Sequence, residues 1–223
     1  MITIDGTASS GKRTVAQKIA NTLGIAYCDT GAMYRYVTYA IFQKHINIQK
    51  EDQLAEFLKN FTFEFKDDGP DRHYILDGED VTKKIHMPDV TFFVTKVAST
   101  PAIREKLVDI QRALATAAGG KAVFTGRDMG TVVFPDAAVK IFLTGNPELR
   151  AKWRYRELKS AYPDDYAEMA YEDTFEEITD RDDADMSREI SPLRIPKDAE
   201  FIDVTNLTVD EVVSKIIAYN NKL

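Results

Sequence analysis

The stretch Met1-Ile2-Thr3-Ile4-Asp5-Gly6-Thr7-Ala8-Ser9-Ser10-Gly11-Lys12-Arg13-Thr14 decides the fold of this chain. Apolar residues at Ile2 and Ile4 predict a short β-strand. Small residues follow between Gly6 and Gly11, and Lys12 then opens a helical pattern. The apolar positions of that helix are Val15, Ala16, Ile19, Ala20 and Leu23. A strand, a glycine-bounded loop and a helix in this order are typical of a phosphate-binding P-loop.

The spacing Gly6-x4-Gly11-Lys12 matches the chemistry of a polyphosphate site. Glycines allow backbone N–H groups to turn towards a phosphate, and a helix N-terminus adds partial positive charge. The ammonium group of Lys12 can reach the β- and γ-phosphate oxygens. A glycine-rich turn without a ligand is the simpler alternative, but the strand before the loop and the helix after it favour a nucleotide-phosphate site.

One position departs from the usual loop. Ser or Thr normally follows the lysine and faces Mg²⁺, whereas this chain has Arg13, with Thr14 one residue later. Either Thr14 takes an adjusted role, or phosphates, water and carboxylates from elsewhere hold the metal. The sequence therefore assures no direct protein ligand for Mg²⁺.

Composition indicates an ordinary globular protein. The 223 residues are 44% hydrophobic and 29% charged, with a formal net charge of −7 and three histidines that follow no metal-ligand or triad spacing. The negative charge argues against a protein that coats nucleic acid, and no apolar run is long enough to span a membrane. The single cysteine, Cys28, excludes an internal disulfide and is expected to be a buried thiol. We expect a cytoplasmic protein.

Strands and helices alternate along the chain, which predicts a parallel β-sheet covered by helices on both faces. A hairpin pattern around Phe61–Phe65 and Tyr74–Leu76, with its turn at Asp67–Asp71, interrupts this alternation. We interpret residues 36–99 as an inserted module on a core formed by residues 1–35 and 100–223. Residues 162–171, rich in Pro, Asp and Tyr and with no apolar stripe, are expected to form a mobile lid within about 159–171.

Ligands in open parallel sheets lie beyond the carboxyl ends of the strands. The predicted strand ends carry the P-loop, Asp29-Thr30, and Arg127-Asp128. Asp128 can serve a metal's water shell or a substrate donor, or it can simply cap the next turn. The presence of Arg127 beside it favours an anionic ligand.

The helix predicted over 172–188 places Arg181, Asp185 and Arg188 on one face. By itself this pattern is that of a solvated ladder of ion pairs. Basic side chains on the preceding helix adjoin the Pro163 loop and suit a lid that closes on phosphates; they are Arg150, Lys152, Arg154 and Arg156.

Together these segments resemble the bacterial-type cytidylate kinases, within the nucleoside-monophosphate kinase group of P-loop kinases. The resemblance spans nearly the whole chain and rests on Ile4-Asp5-Gly6 with Gly11-Lys12, Asp29 to Arg35, Leu76 to Thr82, Gly126 to Asp136, Val139 to Leu143, and Arg181-Asp182 with Asp185 and Arg188. It implies transfer of a phosphoryl group from ATP to CMP or dCMP with Mg²⁺. It also implies a P-loop core, an enlarged monophosphate-binding insert and a short lid, and we expect a monomer.

The resemblance also implies roles for individual residues. ATP phosphates would be held by Gly6, Thr7, Ala8, Ser9, Ser10, Gly11, Lys12, Arg13 and Thr14, with Arg154 also binding ATP. Acceptor and transferred phosphates would be clamped by Arg35, Arg127 and Arg188, of which Arg127 and Arg188 join Lys12 as catalytic residues. Cytosine would be read by Thr30, Arg104 and Asp128, and the ribose by Thr95, Arg181 and Asp185.

Two other readings remain open. The chain could be a P-loop kinase for a different small acceptor, such as another nucleoside monophosphate or shikimate, although the segment Asp77-Gly78-Glu79-Asp80 argues against it. It could also be a silent nucleotide-binding regulator if Arg13 points into the phosphate site. We expect Arg13 to point outward, because only Lys12 is placed to reach in.

Overall fold

The computed structural model describes residues 1–68 and 71–222. Its strands are β1 (Ile2–Gly6), β2 (Ala26–Asp29), β3 (Glu64–Asp68), β4 (Asp71–Leu76), β5 (Glu79–Asp80), β6 (Ala122–Gly126), β7 (Val139–Thr144) and β8 (Glu200–Asp203). Its α-helices are α1 (Lys12–Leu23), α2 (Thr30–Gln43), α3 (Glu51–Asn60), α4 (Pro88–Ala98), α5 (Pro101–Ala117), α6 (Pro147–Ala161), α7 (Tyr171–Ser187) and α8 (Val209–Asn220). None of the helices within these ranges is long and apolar enough to cross a bilayer.

The chain divides into two compact units. The first comprises Met1–Thr30 and Arg112–Leu223 and contains a five-stranded sheet in the order β2-β6-β1-β7-β8. Every neighbouring pair in that sheet is parallel, as the alternating pattern predicts. Its core includes Ile4, Ile19, Val123, Ile141 and Ile216, which come from three strands and from α1 and α8. The predicted α/β fold with a parallel sheet is therefore confirmed.

The central strand β1 delivers the P-loop to the carboxyl edge of the sheet. Gly6 pairs with Leu143 of β7 and has a φ of +147°. A Cβ atom at Gly6 would lie 1.9 Å from the carbonyl oxygen of Leu143, so only glycine fits there. Because β2, β6, β1 and β7 run in the same direction, their ends at Asp29, Gly126, Gly6 and Thr144 lie along one edge.

The second unit, Gly31–Gln111, contains the antiparallel sheet β3-β4-β5 and helices α3 and α4. The ring of Tyr36 lies edge-on to Phe61 and Phe63, with centroids 5.9 and 5.1 Å apart, and its hydroxyl donates to the carbonyl of Ile75. The predicted inserted module, 36–99, lies inside this unit. Strands β3 and β4 pair antiparallel, as the predicted hairpin requires, and residues 69 and 70 of its predicted turn at Asp67–Asp71 lie outside the described residues.

Several local expectations were refined by the structure. Helix α2 runs from Thr30 to Gln43, and His45 just beyond it takes a left-handed conformation of the kind that ends helices. A π-helical turn, Met129–Val133, follows Asp128 and was not predicted. Cys28 is buried, as expected.

Candidate active site

The P-loop holds Lys12 against its own backbone. Gly11, with φ of 78°, is the N-cap of α1. The Nζ atom of Lys12 donates to the carbonyl oxygens of Gly6, at 3.0 Å, and Thr7, and lies 3.3 Å from Ser10 Oγ. Burial, and then the positive charge of Arg127, lower the pKa of Lys12 well below its usual value. An anion reaching this loop would meet an ammonium that is already desolvated.

The side chains after Lys12 point elsewhere. Arg13 and Thr14 are both exposed on α1. The positive charge of Arg13 acts on the hydroxyl of Tyr162. The outward orientation expected for Arg13 is therefore confirmed, and the loop is not blocked by its guanidinium.

A buried ion pair fastens the loop at Ala8. Asp182 of α7 accepts the N–H of Ala8 at 2.7 Å through one oxygen and pairs with Nη1 of Arg150, also at 2.7 Å, through the other. The same Nη1 donates to the carbonyl of Ala8, and Nε of Arg150 donates to the carbonyl of Gly145. The prediction that Arg150 serves the lid is wrong, because its side chain is only 4% exposed and binds the loop.

A second carboxylate, Asp185, gathers arginines from two elements. It accepts from Nε of Arg127 at 2.7 Å and from Nη1 of Arg188 at 3.3 Å. Burial alone would raise the pKa of Asp185, but the charges of Arg127, Arg181 and Arg188 outweigh it and hold the pKa below its usual value. The solvated-ladder interpretation of this helix face is wrong, since Asp185 and Arg188 are each 8% exposed.

Buried guanidinium nitrogens that have no hydrogen-bond partner among the described residues include Nε of Arg181 and one terminal nitrogen of Arg154. The other terminal nitrogen of Arg154 donates to Glu157. Burial, and then the charge of Arg127, lower the pKa of Arg181. Buried cations that repel one another and retain unused donors form a site suited to a multiply charged anion.

Polar groups of a different kind lie beside the carboxyl ends of the paired strands β2 and β6. The hydroxyl of Thr30 donates to the carbonyl of Thr125 at 2.7 Å, so it retains only acceptor capacity for a ligand. Asp128 is 2% exposed and makes no side-chain cap for the turn that follows it, which excludes the turn-capping alternative. The neighbouring Arg127 pairs with Asp185 of α7.

The second unit places three of the predicted residues on α2, α4 and α5. Arg35 is buried, and its Nη1 donates to Thr91 Oγ1 at 2.5 Å. Arg104 donates to the carbonyl of Ala98 at 3.0 Å and lies over the ring of Tyr34. Thr95 is half-buried, one helical turn after Thr91 on α4.

Sequence reasoning missed three side chains that the structure brings into play, namely Asp5, Thr91 and Asp182. Asp182 stands inside the quoted Arg181-Asp182 motif, but its partner Arg150 is 32 residues away, so spacing could not reveal the pair. Asp5 carried a usable signal, because a carboxylate at the end of a central apolar strand is costly unless a function needs it.

The residues around the loop do not form a direct metal cage. No group of three His, Cys, Asp or Glu side chains suited to a metal ion occurs in residues 1–68 and 71–222. Ser10 Oγ donates to Thr7, and both oxygens of Asp5 accept backbone N–H groups. The side-chain oxygens of Ser10 and Asp5 are therefore already engaged in hydrogen bonds with the backbone.

The segment after α6 is more anchored than its composition predicts. Tyr166 is 4% exposed, and Lys159 Nζ donates to the carbonyl of Ala167 at 2.6 Å. The expectation that nothing apolar holds residues 162–171 down is therefore wrong. Its closure on substrates stays a prediction.

Comparison with known proteins identifies the family. The cytidylate kinase family model matches residues 2–222. The chain belongs to the cytidylate kinase family. It is 49% identical over 223 residues to a cytidylate kinase of Protochlamydia amoebophila, covering 100% of this chain and 97% of that protein. It is 44% identical over 216 residues to that of Ligilactobacillus salivarius, covering 97% and 94%.

Members of this family are ATP-dependent nucleoside-monophosphate kinases that phosphorylate CMP and dCMP. A solved structure of an uncharacterised protein from Eubacterium ventriosum shares the fold, with a TM-score of 0.54 at 14% identity, over 100% of this chain and 98% of that chain. That likeness concerns the fold alone.

The ion pair at Ala8 yields a stability prediction. Arg150→Met leaves the Asp182 carboxylate buried without its cation, and we expect a loss of about 3 kcal/mol or more in the free energy of unfolding. Adding Asp182→Asn should cost less than the sum of the single changes. Urea denaturation of the two single variants and the double variant measures the coupling. Arg156→Met, at an exposed position on the same helix, is the control; a loss equal to that of Arg150→Met would contradict the assignment.

Proposed function

We propose that this chain transfers the γ-phosphoryl group of ATP to CMP or dCMP, giving ADP and CDP or dCDP, in pyrimidine nucleotide metabolism. One observation carries the proposal. The charge of Arg127 acts both on the P-loop Lys12 and on Arg181, whose buried Nε has no partner among the described residues, and the acceptor groups of Thr30 and Asp128 lie beside the ends of β2 and β6. The first set suits phosphates and the second suits an amino group on a base.

In this proposal the P-loop, residues Gly6 to Thr14, binds the ATP phosphates, and Arg154 adds a donor to ATP. The Lys12 ammonium exchanges its contacts with Gly6 and Thr7 for phosphate oxygens. Mg²⁺ carried by ATP supplies further neutralisation of the phosphate charge. The exposed Arg13 and Thr14 contribute through the helix N-terminus and not through side-chain contacts with the metal.

Phosphoryl transfer requires that the two nucleotides are aligned, that the phosphate charge is neutralised and that water is excluded. It requires little covalent chemistry from the protein. The acceptor phosphate oxygen is already ionised, so no general base is needed. In this proposal Arg127 and Arg188 neutralise charge on the transferred group, and their ion pairs with Asp185 support that role by fixing both guanidinium groups. The lid, about 159–171, would exclude water when both nucleotides are bound.

Base selection follows from hydrogen-bond polarity. Cytosine presents an amino donor where uracil presents a carbonyl. Thr30, whose hydrogen is already given to Thr125, and the carboxylate of Asp128 can both accept from that amino group. Neither can donate to the uracil carbonyl, which favours CMP over UMP.

The remaining roles rest on the family resemblance. Arg35 would bind the acceptor phosphate, Arg104 the cytosine ring, and Thr95, Arg181 and Asp185 the ribose. The hydrogen bond of Arg35 to Thr91 supports a fixed guanidinium for that task. We further propose that the chain acts as a cytoplasmic monomer with small nucleotides as its partners.

A coupled ADP-release assay over a panel of acceptors tests the proposal. We expect CMP and dCMP to give the highest kcat/KM, with lower values for UMP, AMP, GMP and shikimate. A higher kcat/KM for shikimate or a purine nucleotide would identify a kinase for another acceptor. Bound ATP without ADP release for any acceptor would identify a silent regulator.

Lys12 should matter for chemistry more than for folding. Lys12→Ala removes a desolvated cation as well as its loop contacts, so we expect a melting temperature close to that of the unaltered chain. It should lower kcat by about 10²-fold or more, the scale for losing one preorganised donor. Lys18→Ala, at an exposed lysine on the same helix, should keep kcat. Near-normal turnover in Lys12→Ala would refute the P-loop assignment.

Asp128→Asn tests base recognition, because its amide can donate as well as accept. We expect the CMP/UMP ratio of kcat/KM to narrow, mainly through weaker use of CMP, with the KM for ATP little changed. Asp136→Asn, at an exposed position beyond the same turn, should leave the ratio unchanged. Equal losses with CMP and UMP would move base reading from Asp128 to Thr30 and Arg104.

A further inference from the structure

A carboxylate from β1, that of Asp5, caps the turn that follows Asp128. The two oxygens of Asp5 accept the N–H groups of Met129, at 2.9 Å, and Gly130, at 2.7 Å. These are the first two residues of the π-helical turn that begins directly after Asp128. Asp5 is 0% exposed, so the contact is made in the dry interior of the core unit.

Capping of this kind normally comes from the residue that precedes the turn. An Asp at that position satisfies the free N–H groups of the first turn with its own side chain. Here Asp128 occupies the position but makes no such hydrogen bond, and Asp5 supplies it from a different strand. The carboxylate of Asp128 is thereby relieved of the capping role.

The turn leaves little room for an alternative arrangement. A Cβ atom on Gly130 would lie 3.0 Å from Pro196 and 3.1 Å from Thr3 Oγ1. A Cβ atom on Gly126 would lie 2.8 Å from the side chain of Met129 and 2.9 Å from Thr30 Oγ1. A shift of the turn would therefore disturb the groups proposed to read the base.

We propose that Asp5 is a positioning residue for acceptor selection, which caps the Met129–Val133 turn in place of Asp128 and so orients the Asp128 carboxylate towards the cytosine amino group. The inference rests on the proposed function. Asp5 itself touches neither nucleotide in this scheme. Its effect on the reaction passes through the backbone of the turn and through Asp128.

The electrostatics of Asp5 are those of a group kept for function. Burial raises its pKa to about 6, against the lowering effect of the two N–H groups; the charge of Asp128 raises it further and that of Lys12 lowers it. Arg127, which also faces this centre, interacts with the ionised form. The pKa of Asp5 is higher in the folded state than its unfolded value of 3.8. The protonated group therefore contributes fully to the free energy of unfolding below pH 3.8, and this contribution is lost as the pH rises through about 6. Ionised Asp5 therefore lowers the free energy of unfolding at neutral pH. A loss of stability of this kind is typical of residues that serve function.

A double-mutant cycle on selectivity tests the proposal. Asp5→Asn keeps one acceptor but places an amide N–H₂ against the second N–H donor, so the turn must shift. We expect the CMP/UMP ratio of kcat/KM to fall by about tenfold. Losses of this size are typical when a residue that orients a ligand-binding side chain is removed. In the Asp128→Asn background the same change should leave the ratio nearly unaltered, because the route through Asp128 is already lost.

The control is Ile4→Val, which alters a buried side chain one residue earlier on β1 and should not change the ratio. An unchanged ratio in Asp5→Asn, or equal fold-losses in both backgrounds, would overturn the positioning role. The proposed function is tested separately by the unaltered chain. It is contradicted if the unaltered chain does not give a higher kcat/KM with CMP than with UMP.

A measurement on the unaltered chain covers the case in which Asp5→Asn does not fold. Amide protons bonded to a carboxylate shift when it is protonated, so the Met129 and Gly130 resonances should titrate together with an apparent pKa of about 6. In Asp128→Asn they should still titrate. Amide resonances of Met129 and Gly130 without the downfield shift of N–H groups bonded to a carboxylate would show that Asp5 does not cap the turn in solution.

Discussion

The close approach of Gly6 to Leu143 is the constraint on which the site depends. Gly6 ends the central strand β1 directly beside Leu143 of β7. A residue with a Cβ atom cannot take this place, because the Cβ would lie 1.9 Å from the carbonyl oxygen of Leu143. The P-loop can then turn over the end of the sheet, with Lys12 folded beneath it. Lys12 and Arg150 both donate hydrogen bonds to carbonyl oxygens of this loop, at Gly6 and Ala8.

Two carboxylates on α7 stabilise the loop and its surroundings in different ways. Asp182 holds the loop backbone at Ala8 through a buried pair with Arg150, which is a structural task. Asp185, one turn later, holds Arg127 and Arg188 and keeps them at the site despite their mutual repulsion. Asp182, which stabilises the loop, and Asp185, which holds the arginines of the candidate site, are thus one helical turn apart on α7.

The core unit brings the cations Lys12, Arg127 and Arg181 close enough to act on one another, although the chain as a whole carries a charge of −7. Burial, and then the charge of Arg127, lower the pKa values of Lys12 and Arg181. A bound polyphosphate would offset the repulsion among these cations, and this coupling links binding to stability. The same preorganisation is what electrostatic catalysis of phosphoryl transfer requires.

The sequence by itself determined the parallel sheet, the P-loop, the outward position of Arg13 and the family, because each is written in local spacing or in continuous motifs. It misassigned Arg150 to the lid, and it left open whether Asp128 caps a turn and whether Arg181, Asp185 and Arg188 form a solvated ladder. Only the tertiary structure decided these points. Arg150 meets Asp182, Arg127 meets Asp185, and Asp5 meets Met129 across 32, 58 and 124 residues of sequence. Periodicity reports neighbours along a helix or strand, whereas a buried charge takes its role from the partner that folding brings to it.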